Sequence, residues 1–97
     1  ILRYIDLKIS YDSLSERVEE YAQKTFDYAL ELTKSINKDK GLRLEVEENG
    51  DYAVTWRLFY YTNARNMKDS EYAMNRAAKD IAEIFKDVSL DTPQLMI

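Results

Sequence analysis

Hydrophobic and polar residues alternate in three stretches of this chain and recur at helical spacing in two more. From Arg3 to Tyr11, Ile5, Leu7, Ile9 and Tyr11 share one face while Tyr4, Asp6, Lys8 and Ser10 share the other, the period of a half-buried strand. Between Leu42 and Thr62, two further runs, LRLEVE and YAVTWRLFYYT, flank the turn residues Asn49 and Gly50 and read as a β-hairpin. Leu42, Leu44 and Val46 form the apolar row of its first strand; Tyr52, Val54, Trp56, Leu58 and Tyr60 form that of its second. A two-residue Asn49-Gly50 loop would send these rows to opposite faces. A three-residue loop of Glu48, Asn49 and Gly50 sets Val46 opposite Tyr52 and Leu44 opposite Val54, keeping them together. Because a one-residue slip reverses every side chain, the pattern selects the three-residue loop, with Gly50 at positive φ as a bulge residue.

The helical segments come before and after the hairpin. Ser13 and Glu16 make an S-x-x-E capping box, and Val18, Ala22, Thr25, Ala29, Leu32 and Ile36 then recur at spacings of three and four, predicting a helix from about Leu14 to Ile36. Asn37 to Gly41 is polar and ends it. Met74, Ala77, Ala78, Ile81, Ile84, Phe85 and Val88 predict a second amphipathic helix from about Ser70 to Val88. The tail from Ser89 to Ile97 carries Leu90, Leu95, Met96 and Ile97 around Pro93, which restricts it to an edge strand. The resulting order is βαββαβ. It predicts an α+β, ferredoxin-like fold: a four-stranded antiparallel sheet in the order 4-1-3-2, with right-handed crossovers and both helices on one face. Trp56, alternating with Val54 and Leu58, is read as a core residue under those helices.

Composition narrows the chemistry. Ninety-seven residues make one domain, 1–97, and the absence of an initiator Met ahead of the first strand points to a piece of something longer. The chain has neither cysteine nor histidine. Disulfides, thiolate and imidazole metal sites, Ser-His and Cys-His nucleophiles and histidine acid–base chemistry are thereby excluded. A net charge of −4 argues against a nucleic-acid partner, although it leaves room for a local basic patch. No run is long and apolar enough to span a bilayer, and no signal peptide is present.

The face of the sheet turned away from the helices is the place for function. By alternation it carries Tyr4, Asp6 and Lys8; Arg43, Glu45 and Glu47; and Ala53, Thr55, Arg57, Phe59 and Tyr61. One reading is a solvated surface laced with ion pairs, such as those around Arg43 and Glu45. The other is a contact surface, for which Arg57, Phe59 and Tyr61 have the composition enriched at protein interfaces. RNA-recognition domains stack bases on such a face, and Tyr4, Phe59 and Tyr61 would suit it, but TWRLFYYT lacks that family's glycines and basic pattern. Glu45, Glu47, Glu48 and Asp51 gather near the hairpin tip without the D-x-D-x-D-G spacing of a calcium loop and read as solvated turn residues. An acylphosphatase-like enzyme would need a glycine-rich turn after the first strand, where this chain has SYDSLSE. No catalytic residues, metal ligands or cofactor are expected.

Three segments, IDLKISYDSLSERVEE, VEENGDYAVTWRLFYYT and IAEIFKDVSLDTPQLMI, resemble in order and spacing the soluble C-terminal domain of MscS-like, small-conductance mechanosensitive ion channels. They match its strand with Tyr-Asp and helix start, its Gly-Asp hairpin, and its closing segment before a proline. The resemblance covers almost the whole chain. The transmembrane helices, the Gly/Ala-rich pore helix and the small β domain of that family are not in it, and Asp91 stands where the family often has a further proline. The resemblance implies a homo-oligomeric membrane protein, typically heptameric. This domain would form part of the vestibule on the cytoplasmic side of the cell membrane, contribute to subunit assembly and bound the ion path. The alternative from another class is a ferredoxin-like small-molecule-sensing regulatory module, which normally offers a glycine between first strand and helix; Ser10 to Ser15 has none.

Overall fold

The computed structural model describes residues 1–50 and 53–90. In chain order these form strand β1 (Leu2–Ile9), helix α1 (Ser15–Leu32), strands β2 (Arg43–Asn49) and β3 (Val54–Tyr61), a 3-10 turn at Ala64–Asn66 and helix α2 (Met67–Ala82). The three strands make an antiparallel sheet in the order β1-β3-β2, so the class is α+β. Of the segment expected to form a fourth strand, only Ser89 and Leu90 are among the described residues. There Ser10 N–H donates to the Val88 carbonyl (2.8 Å), Leu90 N–H donates to the Lys8 carbonyl (2.8 Å), and Ser89 bridges antiparallel to Ile9 on the outer edge of β1. Pro93, Leu95, Met96 and Ile97 lie outside the described residues, as do Asp51 and Tyr52 of the hairpin.

Period-two burial in β1 puts Ile5, Leu7 and Ile9 into a core shared with Leu58 and Tyr60 of β3. Helix α1 adds Val18, Tyr21, Ala22, Thr25, Phe26 and Ala29, and α2 adds Ala73, Met74 and Ala77. The helix ends depart from the sequence expectation. The Ser13–Glu16 capping box does not form: Leu14 is the N-cap, no side chain caps it, and the buried Ser13 hydroxyl has no partner among the described residues. Ser13 N–H is instead drawn into a turn by the Ser10 carbonyl (3.1 Å), which leaves the serine one position ahead of the cap. At the other end α1 stops at Leu32 rather than Ile36. Thr33 is extended, its hydroxyl and that of Ser35 both donate to Asp69 in the first turn of α2, and Ile36 reaches the core through a bridge to Thr62. The apolar spacing of Ile36 is thus satisfied without a helix.

Helix α2 starts earlier and ends earlier than the predicted Ser70–Val88. Beyond Ala82 the chain tightens, with Phe85 N–H bonded to Ala82 O and Val88 N–H to Phe85 O. Three-residue winding aligns Ala82, Phe85 and Val88 on the core and throws Ile84 out to 65% exposure, against the predicted stripe.

The hairpin keeps the expected parity but in another register. Leu44 faces Leu58 and Val46 faces Trp56, in place of Val54 and Tyr52. Alternation constrains which residues share a face; it leaves the strands free to slide by two. The observed slide sets Arg43 opposite Phe59 and Glu45 opposite Arg57, pairs that the expected register would have forfeited. A bulge lies between Val46 and Glu48, after which Glu48 pairs with Thr55 and Asn49 with Val54. Gly50 closes the loop by donating to the Ala53 carbonyl (2.8 Å) and does not have positive φ. That conformation belongs to Gly41 (φ 65°), where the loop after α1 turns into β2. Strand β2 also lies outside the helix layer: Val46 is 53% exposed, and Leu44 and Trp56 are half-buried at the core margin rather than under the helices.

Candidate functional site

The register aligns two rows across the open face. Tyr4, Phe59 and Arg43 make one row; Asp6, Arg57 and Glu45 make the next. Arg57 Nε donates to Asp6 Oδ1 (2.9 Å) and its Nη1 lies 3.3 Å from Glu47 Oε1, the carboxylate that the bulge swings toward it. The Arg57 guanidinium also stacks on Tyr4, 3.9 Å from the ring centroid. Tyr4 in turn meets Phe59 at 5.7 Å with the rings tilted by 59°, and the Arg43 guanidinium sits 4.5 Å from the Phe59 ring while pairing with Glu45 (2.7 Å). The result is a layered stack, Arg57–Tyr4–Phe59–Arg43, in which each cation lies on a π-face and is held by a carboxylate of its own face. The hydrogen bond that Arg57 donates to Asp6 raises the Arg57 pKa against the opposing effect of burial, so the guanidinium stays charged.

Three consequences follow for the residues singled out from the sequence. Arg57 and Phe59 do come together, through Tyr4. Tyr61 does not join them; it lies beyond the start of β2, beneath the Lys40 ammonium at 4.9 Å. Tyr4 and Arg43 are full members of the cluster, and only the cross-strand register could have shown it. Thr55, assigned to the open face by alternation, is on that face yet buried, because Lys8 Nζ folds over it and donates to its hydroxyl (2.8 Å).

At the hairpin, Glu45 and Glu47 are occupied by Arg43 and Arg57, and Asp51 lies outside the described residues. Among the described residues no group of three or more carboxylates gathers as a metal site, and no helix is long and apolar enough to cross a membrane. Ion pairs organise the open face, and aromatic area is exposed on it, with Tyr4 at 49%. The chain matches no known family model and no curated protein.

Proposed function

We propose that this domain is a non-catalytic assembly module acting through the open face of its sheet, set in the cytoplasmic vestibule of a homo-oligomeric, MscS-like channel. The observation that carries the contact role is the Arg57–Tyr4–Phe59–Arg43 stack on a face that no described element covers. Arginine and aromatic side chains dominate interface energetics, and these are already ordered by their own ion pairs, so little side-chain entropy is lost when a partner docks. The channel setting is supported by the order of the three resembling segments along nearly the whole chain. It is compatible with an antiparallel sheet and two helices in the observed order. A fourth strand entering at Ser89 against β1 completes a ferredoxin-like sheet in the order 4-1-3-2, and the paired hydrogen bonds at Ser10 and Leu90 favour it.

Subunit contacts in such an assembly, heptameric by the resemblance, use Arg57, Phe59 and Tyr61, with Tyr4 and Arg43 beside them. The test is tension-activated conductance of the full-length gene product in a patched bilayer, together with its oligomer mass. Wild type is compared with Arg57→Ala, Phe59→Ala and Tyr61→Ala. Loss of oligomer and of conductance in the variants is the expected result. A full-length product without membrane spans removes the channel reading, and normal assembly in all three variants removes this face.

A further inference from the structure

The cations of this chain are unevenly satisfied. Carboxylates outnumber them, 18 to 14, and five of the six arginines, Arg3, Arg17, Arg43, Arg57 and Arg76, form ion pairs. Arg65 forms no ion pair among the described residues, and of the eight lysines only Lys86 does, so Lys8, Lys24, Lys34, Lys38, Lys40, Lys68 and Lys79 are likewise without a carboxylate partner there. Five of these eight, Arg65, Lys34, Lys38, Lys40 and Lys68, lie in or beside the two connections, α1 to β2 and β3 to α2, at the end of the sheet away from the hairpin tip, with Asp39 between two of them. Those connections are stitched together. Thr62 Oγ1 donates to the Ser35 carbonyl (2.7 Å), Asn37 N–H donates to the Tyr61 carbonyl (2.8 Å), and Ile36 bridges to Thr62.

Where they meet is an open cavity of 490 Å³ whose lining includes Lys34, Asn37, Lys40, Tyr61 and Asn63 and no carboxylate. Asn37 Oδ1 accepts from Lys40 N–H (3.1 Å) and Asn63 Oδ1 from Asn66 N–H (2.9 Å). Each amide therefore spends its oxygen on the backbone and keeps its NH2 group as a donor. Lys40 is steadied over the Tyr61 ring. Asp69, the carboxylate nearest in the bonding network, is already held by the Thr33 and Ser35 hydroxyls.

We propose that this cavity is a binding site for a phosphate group, carried by a soluble phosphate compound or by a lipid headgroup. Lys34 and Lys40 supply the charge, and the Asn37 and Asn63 amides and the Tyr61 hydroxyl supply directional donors. A chain of net charge −4 repels polyanions as a whole, so a cavity lined by two lysines and no carboxylate marks a local exception. This cavity lies apart from the Arg57–Tyr4–Phe59–Arg43 stack and shares only Tyr61 with the proposed contact residues, so it is tested through Lys34 and Lys40, which the assembly reading does not use.

The soluble arm is a titration of the domain with inorganic pyrophosphate at 0.15 M salt, followed by amide chemical shifts. The lipid arm is co-sedimentation with phosphatidylcholine vesicles with and without phosphatidic acid. The expected result is saturable binding in at least one arm, with shifts confined to residues 34–40 and 61–66. Lys34→Ala and Lys40→Glu should each weaken it about tenfold, as loss of a charge-assisted contact would. Lys79→Ala, removing a cation elsewhere, should leave it unchanged. Binding of pyrophosphate assigns the soluble source, and binding of acidic vesicles alone assigns the headgroup. Absence of binding in both arms, or an equal loss in Lys79→Ala, overturns the site.

Discussion

The two faces of β3 are stabilised by different physics. On one, Leu58 and Tyr60 are fully buried beneath helices whose residues lie far away in sequence, and apolar area removed from water does the work. On the other, Arg57 and Phe59 are only half covered, and what covers them is their cross-strand neighbours Tyr4, Asp6 and Arg43. The first face is close-packed and intolerant of change. The second is a shallow layer of stacked rings and guanidinium groups that holds its shape in water while leaving area for a partner.

The largest expected effect opposes adjacent residues. Leu58→Ala should destabilise the domain by about 2–5 kcal/mol in a denaturant titration, whereas Phe59→Ala, one residue away on the other face, should cost only about 1–2 kcal/mol. Equal losses would mean that the open face is part of the core and not a surface. A smaller effect of opposite sign is expected at Tyr60, whose buried hydroxyl has no hydrogen-bond partner among the described residues. Tyr60→Phe should be neutral or stabilising by up to about 1 kcal/mol, since it removes an unsatisfied group.

Burial raises the Tyr60 pKa. Stability should therefore be intact below the ordinary phenol pKa of about 10 and fall as pH rises beyond it. The Phe variant should not show this fall; if it does, the alkaline loss arises from another group.

The acid side tests the junction of the two helices. Hydrogen bonds from Thr33, then Ser35, hold the Asp69 pKa below its usual value, with burial opposing. The stabilisation is therefore complete above the ordinary carboxylate pKa and is lost as pH falls through the lowered folded value. Asp69→Asn should flatten this acid limb in thermal melts between about pH 5 and 2; an unchanged limb would assign it to other carboxylates, such as Asp87 beside Arg17. The smallest effect is expected on the open face itself. Asp6→Asn removes the main partner of Arg57 at an exposed pair, so the loss should be slight at low salt and vanish at 1 M salt. A loss that persists there would make this pair part of the packed structure.

The sequence by itself determined where the three described strands and the bodies of the two helices lie and which of their faces are apolar. Ile5, Leu7, Ile9, Leu58 and the Val18–Ala22–Thr25–Ala29 stripe all point where their spacing said, because periods of two and about three and a half are written in the chain. Only the tertiary structure decided the rest. Alternation fixes parity but not register, so the four-residue slide of the hairpin and the bulge beside Glu47 were settled by pairings with Phe59, Arg57 and Asp6. Local signals failed where another partner competed: Ser13 was held in a turn by its neighbour Ser10 instead of capping α1, and Thr33 and Ser35 bonded the distant Asp69 instead of extending it. The stack on the open face and the donor-lined cavity share that origin. Each joins residues from separate elements, and their proximity exists only once burial of the apolar face has set the strands and loops side by side.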